Sequence, residues 1–334
     1  MSFRICVIGC GEHSRAAHGP SLRRYAAAHS DVVLDACCDR DASRAESWRA
    51  EFGFRRTLPD VSSVLGEAPD ALILAVTPSA ASGVAEEVFR RGVPVLLEKP
   101  PALDVRGVRR LARRSGGVPH LVAFNRRFFP LMVELYNALH GPASPGPIQV
   151  ISYSMIRVDR RDPDFSTTAI HAFDAVRFLA ASDYAELRFS YRDVPGMGPG
   201  VTDVVAEGRM RSGTRVLLSI CPASGAVIER AEVHVTGHSY FLHLPVWNAL
   251  DAPGRLIHLH DGKLMEERRG ESGTGKADLV DTNGFLAELT TFLDGVRSGR
   301  ALSPDLASSV QSVQVMQAMR KRRPVYRSPR AGLG

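Results

Sequence analysis

Two glycines near the N-terminus stand where a chain could bind an anionic ligand. The run Gly9-Cys10-Gly11-Glu12-His13-Ser14 follows a short apolar stretch and precedes a helical one. The first glycine allows a tight turn, the second lets the backbone approach a pyrophosphate, and the helix start supplies N–H donors. Ser14 stands where this pattern usually has a third glycine. The run therefore predicts a dinucleotide site, with these candidate residues: Gly9, Gly11, Glu12, His13 and Ser14.

An acidic residue and two arginines follow the second apolar stretch. Asp39 comes directly after Val32 to Cys38, where an acidic side chain would hold the ribose hydroxyls of a dinucleotide. Alternatively, Asp39 caps the helix that follows. Arg40 and Arg44 could bind a 2′-phosphate. Because Asp39 favours NAD and the arginines favour NADP, the sequence leaves the cofactor as NAD or NADP.

The elements that must position these residues alternate over the first part of the chain. Apolar strands are predicted at Arg4 to Ile8, Val32 to Cys38, Ala71 to Val76, Val95 to Leu97 and Leu121 to Phe124, separated by helical segments. Near-continuous apolar strands alternating with helices indicate a parallel sheet covered on both faces. We therefore predict an α/β, doubly wound Rossmann domain over residues 1–124.

The pattern changes after the Pro/Gly/Ser loop of Pro142 to Pro147. Long strands with alternating apolar and polar residues follow, interrupted by one helix near Thr168 to Leu179 and closed by two more helices. Such alternation suits a large, open, mostly antiparallel sheet with one face packed and the other exposed. Residues 125–334 are thus predicted to form an α+β domain.

Five further segments make the interpretation specific. They are Thr77-Pro78, Glu98-Lys99-Pro100, Phe124 to Phe128, Ala169 to Asp174 and Gly284 to Gly299. Together with the glycine turn, their order resembles the glucose-fructose oxidoreductase, inositol dehydrogenase and rhizopine catabolism family (Gfo/Idh/MocA). The resemblance covers essentially the whole chain, and the Glu-Lys-Pro triplet is its most specific part.

The resemblance implies hydride transfer between a nicotinamide and a sugar, cyclitol or related alcohol. It adds Thr77, Pro78, Glu98 and Lys99 to the candidate cofactor site. It implies that Lys99 hydrogen-bonds to the substrate oxygen and that His171 lies across the cleft as the acid/base. These roles fit the chemistry, because an alcohol that loses a hydride also loses a proton, which an imidazole is suited to accept.

The chain departs from the family pattern beside the candidate histidine. Family dehydrogenases usually carry Asp four residues before that histidine, whereas this chain has Thr167, which cannot hold a proton-relay charge. Asp174, one helical turn after His171, either orients the imidazole or lies on a polar face. Further candidate substrate contacts are Thr167, Asp174, Arg126, Arg157 and Trp247.

Composition narrows the class of protein. The chain has 334 residues and a net charge of +6, but its arginines occur as pairs on helical segments, which indicates solvated helix faces rather than a nucleic-acid surface. A phosphorylated or otherwise anionic substrate remains an alternative.

The five cysteines form no C-x-x-C pair, so we expect reduced thiols and no metal site. No apolar run reaches the roughly 18 residues of a membrane span, and no signal peptide is recognisable, which predicts a cytoplasmic protein.

Three functional hypotheses follow. The first is an NAD(P)-dependent oxidoreductase acting on the CH–OH group of a sugar, keto sugar, amino sugar or cyclitol. The second is a non-catalytic regulatory protein that senses a dinucleotide or sugar, which Thr167 favours slightly. The third is a non-redox enzyme with a tightly bound nucleotide. In each case the partner is a small carbohydrate-like molecule rather than a nucleic acid or a membrane. The resemblance implies that residues 125–334 bind the substrate and support a homodimer or homotetramer, which the broad sheet face permits.

Overall fold

A computed structural model describes residues 2–162, 164–270 and 276–329, without the side chains of residues 276–278. The chain divides into two compact units. The first comprises Met1–Asn125 and Gly284–Val313, and the second comprises Arg126–Asn283 and Gln314–Gly334. The sequence boundary between residues 124 and 125 stays a prediction of domain organisation.

The first unit opens with alternating strands and helices. In chain order these are β1 (Phe3–Ile8), a π-helical turn (Ser14–His18), α1 (Gly19–Ala28), β2 (Val32–Cys38), α2 (Ala42–Phe52), β3 (Arg56–Thr57), α3 (Val61–Gly66), β4 (Ala71–Leu74), α4 (Pro78–Arg90), β5 (Val95–Leu97), α5 (Val105–Ser115) and β6 (His120–Val122). The six strands form a parallel sheet in the order β3-β2-β1-β4-β5-β6.

Local sequence sets where these helices begin and end. Asp41, Asp60 and Asp104 precede α2, α3 and α5, and each carboxylate accepts a hydrogen bond from a backbone N–H of the first turn. These aspartates satisfy donors that have no partner inside the helix. Gly53 and Gly116 end α2 and α5 with left-handed backbone, which glycine adopts at little cost. Strands β4 and β5 are buried throughout because helices cover both faces of a parallel sheet.

The second unit begins with a 3₁₀ turn (Asn125–Phe128) that straddles the unit boundary. It continues with α6 (Pro130–His140), β7 (Ile148–Val158), α7 (Ser166–Ala180), β8 (Tyr184–Asp193), a 3₁₀ turn (Pro195–Met197), β9 (Thr202–Met210), β10 (Arg215–Ser224), β11 (Ile228–Val235), β12 (His238–His243), β13 (Arg255–His260), β14 (Lys263–Arg269) and α8 (Lys276–Thr282). Helices α9 (Phe285–Ser298) and α10 (Leu306–Arg320) and strand β15 (Val325–Arg327) close the described chain.

The nine strands of the second unit form one sheet in the order β14-β13-β12-β11-β7-β10-β9-β8-β15. Neighbouring strands are antiparallel except β7 and β10, which run parallel. Helices α6 and α7 contact strands of this sheet. In β10, buried residues alternate with more exposed ones, and Leu217 is 41% exposed. The predicted fold class, a Rossmann domain followed by a large, mostly antiparallel open sheet, is confirmed.

Helix α9 belongs to the first unit and packs against α1. The Tyr25 hydroxyl donates to Asp294 at 2.7 Å, and Arg297 pairs with Asp31 at 2.8 Å. Burial and the Asp294 carboxylate raise the pKa of Tyr25 above its usual range, so the hydroxyl stays protonated and remains a donor. These bonds tie a segment from late in the chain to helix α1 and to the loop that precedes β2.

Candidate active site

The glycine turn lies at the carboxyl end of β1. Gly9 has a φ of +100°, and a Cβ at this position would lie 2.2 Å from the carbonyl oxygen of Ala75. Only glycine fits there, because both the backbone conformation and the close approach of the next strand exclude a side chain. The position of a Cβ on Gly11 faces open space instead. The turn therefore leaves its backbone accessible at Gly11, as an approaching phosphate requires.

Asp39 is tied to this turn. One carboxylate oxygen accepts from the backbone N–H of Cys10 at 2.9 Å, and the other accepts from the N–H of Asp41 at 3.0 Å. Arg44 lies 3.5 Å from Asp39 and 3.6 Å from Asp41, and its side chain is half exposed. The cap of helix α2 is Asp41 rather than Asp39. The carboxylate of Asp39 is thus held at the end of β2, beside the turn.

A cavity of about 290 Å³ opens beside the turn and the end of β2. Six of the predicted cofactor residues line it: Gly9, Gly11, Asp39, Arg40, Arg44 and Thr77. Asp60 and Val61 from the start of α3 complete part of its wall. The other six predicted residues, Glu12, His13, Ser14, Pro78, Glu98 and Lys99, do not line it. This cavity lies at the carboxyl ends of parallel strands, where open α/β sheets bind their ligands.

Ser14 and the Thr77-Pro78 pair stand at helix starts. Ser14 is buried, and its hydroxyl has no hydrogen-bond partner within the described residues. Pro78 occupies the first position of α4, where a missing N–H costs nothing, and Thr77 precedes it. A buried hydroxyl without a hydrogen-bond partner costs free energy unless a ligand or a water molecule forms a hydrogen bond with it. The open backbone of Gly11 and the fixed carboxylate of Asp39 in the cavity wall together fit a bound dinucleotide.

A largely buried carboxylate follows β5. Glu98 Oε1 lies 2.8 Å from Nε2 of His13 and 2.9 Å from Nε2 of His18. Burial acts to raise the pKa of Glu98, but the neighbouring imidazoles outweigh it and hold the pKa well below its usual range. The other oxygen, Oε2, accepts from the backbone N–H of Lys99 at 3.1 Å. Sequence reasoning missed His18, because a histidine five residues after His13 does not share its face in an ordinary α-helix.

The candidate acid/base of the second unit lies on α7. His171 is 4% exposed, and Asp174 is fully buried rather than lying on a polar face. Arg127 donates from Nε and Nη2 to the two carboxylate oxygens of Asp174, both at 2.7 Å. Thr167 is half buried, and its hydroxyl donates to the carbonyl of Asp164 at 3.4 Å. Trp247 lies on the segment between β12 and β13 and is half buried.

Two of the predicted substrate arginines share a buried partner. Arg126 donates to both oxygens of Glu229, at 3.1 and 3.2 Å, and Arg157 also binds this carboxylate. The Tyr153 hydroxyl donates to it at 2.6 Å. Burial acts to raise the pKa of Glu229, but the two guanidinium groups outweigh it and lower the pKa to about 2. This cluster was not foreseen from the sequence, since no pattern connects Glu229 with residues 72 and 103 positions earlier.

Comparison with known proteins defines the class of the first unit. Residues 3–117 match the family model described as "Oxidoreductase family, NAD-binding Rossmann fold" (GFO_IDH_MocA). The N-terminal domain is therefore an NAD-binding Rossmann domain of the Gfo/Idh/MocA oxidoreductase type. The predicted family and the predicted class of cofactor, a nicotinamide dinucleotide, are confirmed.

The similar proteins include inositol dehydrogenases. The chain is 26% identical over 206 residues to myo-inositol dehydrogenase Hyg17 of Streptomyces leeuwenhoekii, covering 55% of this chain and 57% of that protein. It is 34% identical over 143 residues to inositol 2-dehydrogenase 2 of Saccharopolyspora erythraea, covering 42% of this chain and 41% of that protein. The matched part of the chain thus spans about half the length of these relatives.

A solved structure extends the likeness in fold to almost the whole chain. Levoglucosan dehydrogenase, in complex with NADH and levoglucosan, superposes with a TM-score of 0.82 at 16% identity, covering 98% of this chain and all of the other. At this identity the likeness concerns the fold alone. Across residues 2–162, 164–270 and 276–329, no helix is both long and apolar enough to cross a membrane.

Proposed function

We propose that this protein is an NAD-dependent oxidoreductase that transfers a hydride to or from a CH–OH carbon of a carbohydrate-like substrate. The substrate class is a sugar, keto sugar, amino sugar or cyclitol. The family of the N-terminal domain supports the redox chemistry. The names of the relatives, inositol dehydrogenases among them, support a polyol or sugar as substrate. The oligomeric state stays a prediction.

Asp39 is the observation that carries the choice of NAD over NADP. Its carboxylate is held in the cavity wall by the N–H groups of Cys10 and Asp41. A carboxylate there accepts hydrogen bonds from ribose hydroxyls but repels a 2′-phosphate. Asp60 adds a second carboxylate to the same wall. Arg44 favours NADP less than its sequence position indicates, because its guanidinium group lies beside Asp39 and Asp41.

The proposed catalytic residues are Lys99 and His171. When bound, the nicotinamide supplies the hydride donor or acceptor. Lys99 follows β5 at the carboxyl end of the parallel sheet, where an ammonium group polarises a substrate oxygen. His171 exchanges the hydroxyl proton as general acid or base. Thr167 holds no charge of its own, so this proton exchange proceeds without the carboxylate usual at that position.

A second candidate function, a non-catalytic protein that senses a dinucleotide, rests on Thr167. Its hydroxyl binds a backbone carbonyl, which is a structural use of this side chain. A sensor needs the cofactor cavity but has no need of a proton relay. The two functions therefore differ in turnover and share nucleotide binding.

The first test measures nucleotide binding and turnover on the same samples. Wild type, Lys99→Ala and the control Lys263→Ala, which removes an exposed lysine of β14, are titrated with NADH and NADPH. They are then assayed on a panel of cyclitols, sugars and keto sugars. We expect wild type and Lys263→Ala to bind NADH more tightly than NADPH and to turn over a panel member. Lys99→Ala should keep NADH binding and lose turnover by roughly 10²- to 10⁴-fold.

The outcomes separate the hypotheses. Failure to bind either nucleotide would overturn the proposed function altogether. Full activity of Lys99→Ala would refute the role of this lysine. Tight NADH binding with no turnover on any panel member would favour the sensor.

A further inference from the structure

Three side chains of the first unit bring metal-binding atoms together. Nε2 of His13, Nε2 of His18 and Oε1 of Glu98 lie within 4.8 Å of one another. Each imidazole nitrogen is within 2.9 Å of the same carboxylate oxygen. Among the residues that the structure describes, this is the one group of three or more His, Cys, Asp or Glu side chains with such spacing.

The π-helical turn is the reason that the two histidines converge. His13 precedes the turn Ser14–His18, and His18 is its last residue. With 3.6 residues per turn, an α-helix would put residues five apart on different faces. Here the N–H of Gly19 donates to the carbonyl of Ser14, five residues earlier. This wider turn brings a histidine pair spaced i, i+5 onto one face, and such turns occur frequently at functional sites.

Two of the three side chains are largely buried, and the third is accessible to solvent. The side chain of His18 is 2% exposed and that of Glu98 is 11% exposed, whereas that of His13 is 44% exposed. Two ligands are therefore fixed by packing, on the helix turn and at the end of β5. The third lies at the surface, where it can adjust and where solvent or another ligand can enter.

We propose that His13, His18 and Glu98 form a binding site for a divalent transition-metal ion, with zinc as the representative. Two histidines and one glutamate are a ligand set of zinc sites that keep the fourth position for water or substrate. Magnesium and calcium prefer sites made of oxygen ligands and are disfavoured by two imidazoles.

The distances are close to those of such a site. Metal–ligand bonds of about 2.0–2.2 Å in tetrahedral geometry place two ligand atoms roughly 3.4 Å apart. The nitrogen-to-oxygen distances here are 2.8 and 2.9 Å. An expansion of about half an ångström is needed, and rotation of the exposed His13 side chain supplies much of it. Binding requires both Nε2 atoms to be deprotonated, so uptake releases protons when the imidazoles carry them there.

The site would place a Lewis acid next to Lys99, the residue after Glu98. Its open position could take a water or a substrate oxygen. This inference goes beyond the proposed function and does not depend on it, because metal binding is measured without turnover. It also assigns His13 and Glu98, which sequence analysis placed in the cofactor site, to a different ligand.

The test is a metal titration of the full chain, free of any histidine tag and first treated with a chelator. Wild type, His13→Ala and His238→Ala are titrated with Zn²⁺ by calorimetry and with Co²⁺ by visible absorption. His238→Ala is the matched control, because Nδ1 of His238 lies 2.9 Å from Nε2 of His258 and this pair is the competing surface site. His13→Ala is chosen because its side chain is partly exposed, so its removal leaves no cavity in the core, and circular dichroism verifies the fold.

We expect one equivalent of Zn²⁺ to bind wild type and His238→Ala with equal affinity. His13→Ala should weaken binding at least about 100-fold, since even outer-shell partners of a metal site change affinity by 10- to 100-fold. Co²⁺ should give the intense visible bands of a tetrahedral complex only where His13 is present. Equal zinc affinity in wild type and His13→Ala, or a loss confined to His238→Ala, would overturn the proposal. NADH binding, measured in parallel, reports separately on the proposed function.

Discussion

Glu98 of the first unit and Glu229 of the second each lie shielded from solvent beside two basic side chains, and the two carboxylates are neutralised in different ways. Glu98 of the first unit is bound by two imidazoles, from His13 and His18. Glu229 of the second unit is bound by two guanidinium groups, from Arg126 and Arg157, and by the Tyr153 hydroxyl. Both carboxyl groups have pKa values below the usual range, because these partners outweigh the effect of burial.

The two clusters differ in whether the basic groups around the carboxylate can lose their positive charge. A guanidinium group stays charged at every accessible pH, so the Glu229 cluster is a permanent arrangement of ions. An imidazole can exist without a charge, and its deprotonated nitrogen can then bind a metal ion. We infer that the Glu229 cluster serves stability, whereas the Glu98 cluster remains available for chemistry. Removing each carboxylate should therefore have unequal consequences.

The largest effect is expected from Glu229→Ala. The substitution leaves the buried guanidinium groups of Arg126 and Arg157 without their shared counter-charge, which should lower the free energy of unfolding by roughly 3–5 kcal/mol. Chemical denaturation measures this loss. The control Glu207→Gln changes an exposed carboxylate of β9 and should stay within about 0.5 kcal/mol of wild type. Equal stabilities of the two variants would contradict the structural role of Glu229.

A somewhat smaller loss of stability is expected when wild type is acidified. The pKa of Glu229 is lowered from 4.5 to about 2 in the folded chain, so its stabilising contribution is present above the ordinary pKa and is lost as the pH falls toward about 2. The loss should be roughly 2–4 kcal/mol. Denaturation of wild type and Glu229→Gln at several pH values between about 5 and 2 measures it.

Because Glu229→Gln lacks the titrating group, its stability should fall less steeply over that range. Parallel pH profiles for the two proteins would show that another carboxylate controls the acid sensitivity.

The smallest effect on stability is expected from Glu98→Gln. Neutral His13 and His18 can remain in place beside an amide, so no buried charge is left uncompensated. The free energy of unfolding should fall by about 1–2 kcal/mol at neutral pH, measured by the same denaturation assay. A loss as large as that of Glu229→Ala would mean that both clusters are structural and would remove the distinction between them.

The fold of the Rossmann domain was predictable from the sequence because the apolar strands, the helical segments and the residues at the strand ends all indicated the same parallel sheet. Apolar strands ended at Gly9, Asp39, Thr77 and Glu98, and a parallel sheet brings such ends to one edge. In the second half, helix α6 has no counterpart among the predicted helices, and strand β14 lacks the apolar alternation that predicts strands there. Strand β14 is exposed along its whole length and carries five charged residues in seven, so it has no apolar face to reveal it.

Local sequence was sufficient for the fold class, the glycine turn and the acidic residue after β2, because these depend on backbone geometry and short-range spacing. It could not reveal that His18 joins His13, since that depends on a π-helical turn within an otherwise helical stretch. Nor could it reveal that Arg126 and Arg157 meet Glu229, because the tertiary fold brings a 3₁₀ turn and two paired strands together from distant positions in the chain. Burial makes these contacts important for stability, because a carboxylate removed from water stays charged only beside hydrogen-bonded or oppositely charged partners, which the fold supplies.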